Sequence, residues 1–141
     1  MSHELSISNW GPAAWRFLHT VSFTYQNHPT VEDKQNMYLF LTYFSRVLPC
    51  KRCRNDFTEY VNSTLSTESQ HLNSREDLTK YINKAHNHVN RKIGKKIFTY
   101  DECRNKYLSP KENNNSQIIF IILLLTILLT IIMRNKKKNN R

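Results

Sequence analysis

Two cysteines three positions apart, Cys50 and Cys53, follow Pro49 and enclose Lys51 and Arg52. The proline stops the helical run before it, so the pair falls at the start of a new helix. At that spacing the two sulfurs lie close enough for a disulfide. The helix N-terminus and the two cations favour a thiolate on Cys50. Those are the requirements of dithiol–disulfide exchange. The same spacing also serves as half of a zinc site, or as two ordinary buried thiols. Zinc would need two more ligands. Cys103 and one histidine are available, but there is no second Cys-x-x-Cys and no His-x-x-x-His pair. A thioredoxin-like setting needs a βαβ unit, and none is visible. Redox chemistry is the better reading of the motif.

Two further segments carry rings and amides. In the run from Trp10 through Gly11 and Pro12 to His19, Trp15 and His19 stand at i and i+4 and share a helix face. That face differs from the stripe of Phe17 and Val21, so its two flat rings suit a planar ligand. In the run His86-Asn87-His88-Val89-Asn90, His86 and Asn90 again share a face, and Arg91, Lys92, Lys95 and Lys96 follow. A ring and an amide beside cations suit an aromatic ring system with phosphates. Each segment taken alone is explained better by structure: Trp15 and His19 in the core, and a solvated polar face around His86.

The elements that must position these residues are helices. Only Gly11 and Gly94 are glycine, and no alternating strands or hairpin turn pairs stand out. A first helix is expected from near Trp10 to about Tyr25, capped by Ser8 or Asn9, with Pro12 in its first turn. Ala14, Phe17, Leu18 and Val21 form its core stripe. Thr30 and Asp33 make a capping box for a second helix, whose Met37, Phe40, Leu41, Phe44, Val47 and Leu48 recur at helical spacing. A third begins around Cys50 and buries Phe57, Tyr60 and Val61. Ser74 and Asp77 cap a fourth, with Leu78, Ile82, Ala85 and Val89 inward and Gly94 as its stop. A short fifth is expected from Tyr100 to Leu108. Short connections between four such helices make a bundle.

Taken together, the three motifs resemble the Erv/ALR family of FAD-linked sulfhydryl oxidases. That family carries W-G-x-x-x-W-x-x-L-H on its first helix, P-C-x-x-C opening its third and H-N-x-V-N on its fourth. The matching residues here are Trp10, Gly11, Trp15, Leu18 and His19, then Pro49, Cys50 and Cys53, then His86, Asn87, Val89 and Asn90. The order and rough spacing agree, over about residues 8–108. The resemblance implies an all-α four-helix bundle with a short fifth helix that binds FAD and forms a homodimer. It implies catalytic roles for Cys50, which exchanges with the substrate dithiol, and Cys53, which passes electrons to the flavin and on to O2. It implies cofactor contacts from Gly11, Trp15, His19, His86, Asn87 and Asn90, with Lys95 or Lys96 at the pyrophosphate. No metal is implied.

Two departures from the family pattern matter. Many members relay electrons through a second, mobile cysteine pair, which three cysteines cannot supply. The electrons must then come directly from a dithiol protein or through a thioredoxin-like partner. Cellular members also pair a cysteine soon after H-N-x-V-N with a distant one. Cys103 lies about three residues beyond that place, without a mate, and reads as a free thiol. The short pattern resembles members encoded by large cytoplasmic DNA viruses, which would oxidise virion proteins where thiols are normally kept reduced.

The chain has 141 residues and a net charge of +10. Five of its 21 Lys+Arg follow Met133, which leaves 16 against 11 Asp+Glu in the rest. That surplus, without a nucleic-acid motif, argues against a nucleic-acid partner. The N-terminal residues 1–9 are polar and lack the apolar core of a signal peptide. The chain divides into an oxidase-like domain (1–108), a polar linker (109–117), an apolar run (118–133) and a basic tail (134–141). The apolar run is read as a C-terminal transmembrane helix. It would anchor the chain in a host ER-derived or virion membrane, with the catalytic domain facing the cytosol. The competing readings are a membrane-anchored zinc or adaptor module without catalysis, and a helical redox carrier without flavin.

Overall fold

A computed structural model describes residues 6–108 and 114–139. The chain separates into two units, Met1–Ser109 and Pro110–Arg141. The first is all helical: α1 (Ile7–Thr24), α2 (Val31–Arg46), α3 (Lys51–Thr64), a 3₁₀ turn (Gln70–Leu72), α4 (Arg75–Lys92) and α5 (Tyr100–Leu108). In it α1 packs against α4 and α5, and α2 against α3.

The ends of these helices are written in local side chains. Thr30 and Asp33 close a reciprocal capping box on α2. Ser74 caps α4 by accepting from the Asp77 N–H at 3.1 Å. Gly94, at φ 66°, ends α4. Its N–H bonds the Arg91 carbonyl while the Lys95 N–H reaches back to that of Asn90, the paired bonds of a Schellman motif. Helix α1 starts earlier than expected, with Ser6 as N-cap, so Pro12 lies beyond its first turn.

The core collects Leu18, Leu41, Phe57, Val61, Leu72, Leu78, Tyr81, Ile82 and Ala85. The expected stripe on α1 is only partly right. Leu18 is buried, but its buried companions are Gly11, His19 and Ser22, and Phe17 is 53 % exposed. Phe17 instead meets Phe40 edge-on at 6.0 Å on the outer side of α1 and α2.

In the second unit α6 runs Asn114–Asn139. The expected transmembrane helix is not borne out, because among the described residues no helix is long and apolar enough to cross a membrane. The physical reason is length. The uncharged apolar run 118–133 spans sixteen residues, roughly 24 Å of helix. The hydrocarbon core is about 30 Å thick and needs about 20 residues. This finding contradicts the single-pass anchor and the membrane localisation inferred from it. Expectations for residues 1–5, 109–113 and 140–141, which include parts of the linker and the basic tail, lie outside the described residues.

Candidate functional site

Cys50 is the N-cap of α3, where Pro49 has halted the preceding run. Its Sγ accepts the Cys53 N–H at 3.2 Å. The first free N–H groups of a helix carry partial positive charge, so this sulfur is the one the backbone stabilises as a thiolate. Cys50 and Cys53 are joined by a disulfide, with their Cα atoms 5.2 Å apart. Both are partly buried, and Lys51 and Arg52 between them are exposed.

Cys53 packs against the hydrophobic core. One turn further along α3, Phe57 meets the Trp15 indole edge-on at 5.6 Å. Trp15 in turn lies flat on His86, with ring centroids 4.1 Å apart and planes 9° apart. Packed side chains therefore lead from Phe57, in the core that Cys53 packs against, through Trp15 to the face where α1 meets α4.

At that face His19 Nε2 and His86 Nδ1 share a hydrogen bond of 3.1 Å. His19 also stacks on Tyr107 of α5 at 4.0 Å. Burial, with His86 and Lys106 nearby, pushes the His19 pKa down to about 3. Burial, with Lys106 and Lys95 nearby, pushes His86 down to about 4. Both imidazoles are neutral at physiological pH, and one of the two facing nitrogens donates to the other.

The amides of α4 work differently from the rings. Asn87 Nδ2 donates to the Phe98 carbonyl at 2.7 Å, and its Oδ1 accepts the Phe98 N–H at 3.0 Å. Asn90 Nδ2 donates to the Lys96 carbonyl at 3.0 Å. Both residues hold the 95–98 segment against α4, and Phe98 is thereby set 6.2 Å from His86. Lys96 is engaged by Glu102 at 2.7 Å. Gly11 is buried on α1, and a Cβ there would press on Ile7 at 3.3 Å, so packing within its own helix accounts for it.

Four members of the cluster fall outside the matched motif positions: Phe98, Lys106, Tyr107 and Arg16. The Lys106 ammonium stands 4.3 Å from the Phe98 ring centroid and 5.4 Å from that of Tyr107. The Arg16 guanidinium stands 5.8 Å from Tyr107. Cys103, one turn before Tyr107 on α5, is buried with its Sγ 3.5 Å from His19 Nδ1. Burial pushes its thiol up to about 11, so it stays protonated. A zinc module would need Cys50, Cys53, Cys103 and a histidine around one ion. Here the first two are bonded to each other and the third lies against α1.

The family model described as the Erv1 / Alr family matches residues 12–108. A protein of Acanthamoeba polyphaga mimivirus, described as a "probable FAD-linked sulfhydryl oxidase", is 39 % identical over 111 residues, covering 77 % of each chain. The mitochondrial FAD-linked sulfhydryl oxidase of Saccharomyces cerevisiae is 35 % identical over 92 residues, which are 65 % of this chain and 47 % of that one, so the chain spans about half of that longer relative. Among solved structures, the FAD binding domain of Erv1 from Saccharomyces cerevisiae superposes with a TM-score of 0.66 at 31 % identity, covering 73 % of this chain and 94 % of that one.

Proposed function

The chain belongs to the Erv1/Alr family, and from that membership we propose how its own residues carry out the oxidation of dithiols. It is an FAD-linked sulfhydryl oxidase. The observation that carries the residue assignments is the packed line from Cys53 through Phe57 and Trp15 to His86.

The residues present fit the cofactor. Flat rings (Trp15, His19, His86, Tyr107) suit an aromatic ring system, and Arg16, Lys95 and Lys106 supply positive charge for a pyrophosphate. In this reading Trp15, His19 and His86 hold FAD. Lys95 would supply charge for its pyrophosphate, while Gly11 acts through packing and Asn87 and Asn90 act through the 95–98 segment. The chemistry FAD supplies when bound is acceptance of an electron pair from the reduced cysteines and its delivery to O2 as hydrogen peroxide.

The protein's own step is thiol–disulfide exchange. A substrate thiolate attacks Cys50, a mixed disulfide forms, and the bond to Cys53 breaks to release a Cys53 thiolate. The second substrate thiolate attacks the substrate sulfur of that mixed disulfide. Cys50 leaves as a thiolate, held by the Cys53 N–H at the start of α3. Substrate departs with a new disulfide and the cysteine pair is left reduced. The neutral His19–His86 pair adds no charge beside this route.

The substrate class is a dithiol protein or a thioredoxin-like relay, since the chain lacks cysteines for a relay of its own. The mimivirus relative supports a viral setting, and virion proteins are the dithiol substrates proposed for it. A homodimer is supported by the exposed apolar side of α1 and α2, where Phe17, Tyr43 and, just past the end of α2, Val47 are 53 %, 59 % and 71 % exposed. The test is the purified protein's absorption spectrum together with oxygen uptake on dithiothreitol. Bound flavin and hydrogen peroxide production support the reading. Protein refolded with FAD that retains none after gel filtration overturns it.

A further inference from the structure

An open groove of about 770 Å³ that starts one turn along α3 from Cys50 is lined by Arg46 and Arg54 and, further along α3, by Asn55, Thr58, Glu59 and Asn62. The α3 residues recur at i, i+3, i+4 and i+7, so they form one helix face. Arg54 lies one turn from Cys50. Its N–H bonds the Cys50 carbonyl at 2.9 Å, and its Nη1 bonds the Leu48 carbonyl at 3.0 Å. Arg46 ends α2 and is exposed, its guanidinium 5.9 Å from the Tyr43 ring.

The charge along this groove is uneven. Among the described residues neither Arg46 nor Arg54 has a carboxylate partner in an ion pair. The nearby acid Asp56 is taken by Lys92 at 3.3 Å. Lys51 and Arg52 add two exposed cations at the cysteine end, and Glu59 stands further along. From Arg54 to Asn62 is roughly 12 Å of helix, the span of about four residues of extended chain. The walls beyond the arginines are the amides of Asn55 and Asn62 and the hydroxyl of Thr58, which pair with peptide groups, together with the Glu59 carboxylate.

We infer that this groove docks an extended acidic segment of the substrate, its carboxylates against Arg46 and Arg54 beside the cysteine that Cys50 exchanges with. The inference rests on the thiol-oxidase reading and names the kind of protein that reading leaves open. Opposed charge next to the reacting sulfurs raises the encounter rate and fixes the direction in which the segment lies. A small uncharged dithiol does not reach the groove and reports on the chemistry alone.

The test uses the full chain loaded with FAD and three reductants. Two are synthetic dithiol peptides identical except for Glu or Lys at the two positions flanking the first cysteine, and the third is dithiothreitol. At low salt the Glu peptide should show kcat/KM on the order of tenfold above the Lys peptide, and the ratio should fall toward one as salt is added. Arg46→Glu should abolish or reverse the preference, and Glu59→Gln should raise turnover of the Glu peptide. Dithiothreitol oxidation should be the same in both variants, which also shows that they fold. Equal kcat/KM for the two peptides, or a preference that survives Arg46→Glu, overturns the inference and leaves the oxidase intact. No oxygen uptake even with dithiothreitol overturns the oxidase reading and the inference with it.

Discussion

Trp15 covers His86 face to face, 4.1 Å between centroids, and this contact ties α1 to α4 at the head of the line leading from the cysteines. Such a ring pair contributes about 1 kcal/mol beyond the area it buries. Trp15→Ala should destabilise the fold by about 2–4 kcal/mol and reduce retained flavin several-fold, whereas Trp15→Phe should keep most of both. Denaturant unfolding and the flavin-to-protein ratio after gel filtration measure the two effects. Full flavin retention in Trp15→Ala would remove the indole from the cofactor site.

The buried histidines make stability depend on pH in a defined direction. His19 and His86 titrate at about 3 and about 4 in the folded chain, below the ordinary 6.5. The unfolded chain therefore binds more protons between those values, so stability rises with pH across that window and levels off above it. The melting temperature should fall as pH drops from about 6.5 toward 4, and His86→Phe should flatten that slope by removing one of the two groups. A slope unchanged in His86→Phe would mean that other groups set it.

The helices and their caps were legible in the sequence because they rest on local chemistry. Thr30 with Asp33, Ser74 with Asp77, and Gly94 each act within one turn of where they stand. The Cys50–Cys53 pair was legible for the same reason. The burying face of α1 was not, since periodicity cannot tell an apolar stripe facing the core from one left on the outside, and Phe17 and His19 exchanged places. Asn87 and Asn90 were found as residues but not in their bonding, because their partners are backbone groups up to 11 positions away. Phe98, Lys106 and Tyr107 belong to a segment whose approach to His19 and His86 depends on that clamp. The run 118–133 has the composition of a membrane span, but its sixteen residues fall short of the about 20 that one needs.

The three cysteines should separate cleanly. Cys50→Ser and Cys53→Ser each break the exchange cycle and should lower dithiothreitol oxidation on the order of 10³-fold, with flavin retained. Cys103→Ala should keep turnover within about twofold and cost about 1–2 kcal/mol, since it removes a buried sulfur that touches His19. Oxygen uptake on the three variants decides it, and a Cys103→Ala enzyme as dead as Cys53→Ser would make Cys103 part of the electron route.

The outer aromatic side of α1 and α2 should hold two copies together. Phe17 packs against Phe40 at 6.0 Å and Phe44 at 6.4 Å yet stays 53 % exposed. A charge placed at its centre would be desolvated in a dimer and solvated in a monomer. Phe17→Glu should shift the sedimentation coefficient from dimer to monomer with little loss of helix content. A wild-type chain that sediments as a monomer at all concentrations would remove the dimer.

Asn87 closes both of its amide ends on one residue, taking the Phe98 N–H and giving to its carbonyl. Asn87→Ala leaves two backbone groups beside α4 without partners, at a cost of about 1–3 kcal/mol for each that stays buried. Phe98 then loses its fixed distance to His86, and Lys106 loses the ring it stands over. The variant should therefore lose flavin affinity as well as stability, and its Phe98 amide should exchange hydrogen much faster. Gly94→Ala provides the contrast. It strains a left-handed residue by about 1–2 kcal/mol, and an added Cβ meets nothing within 4 Å. It should lower the melting point with the Asn87–Phe98 bonds intact and flavin retained. If Asn87→Ala and Gly94→Ala lose flavin equally, the clamp has no role beyond general stability.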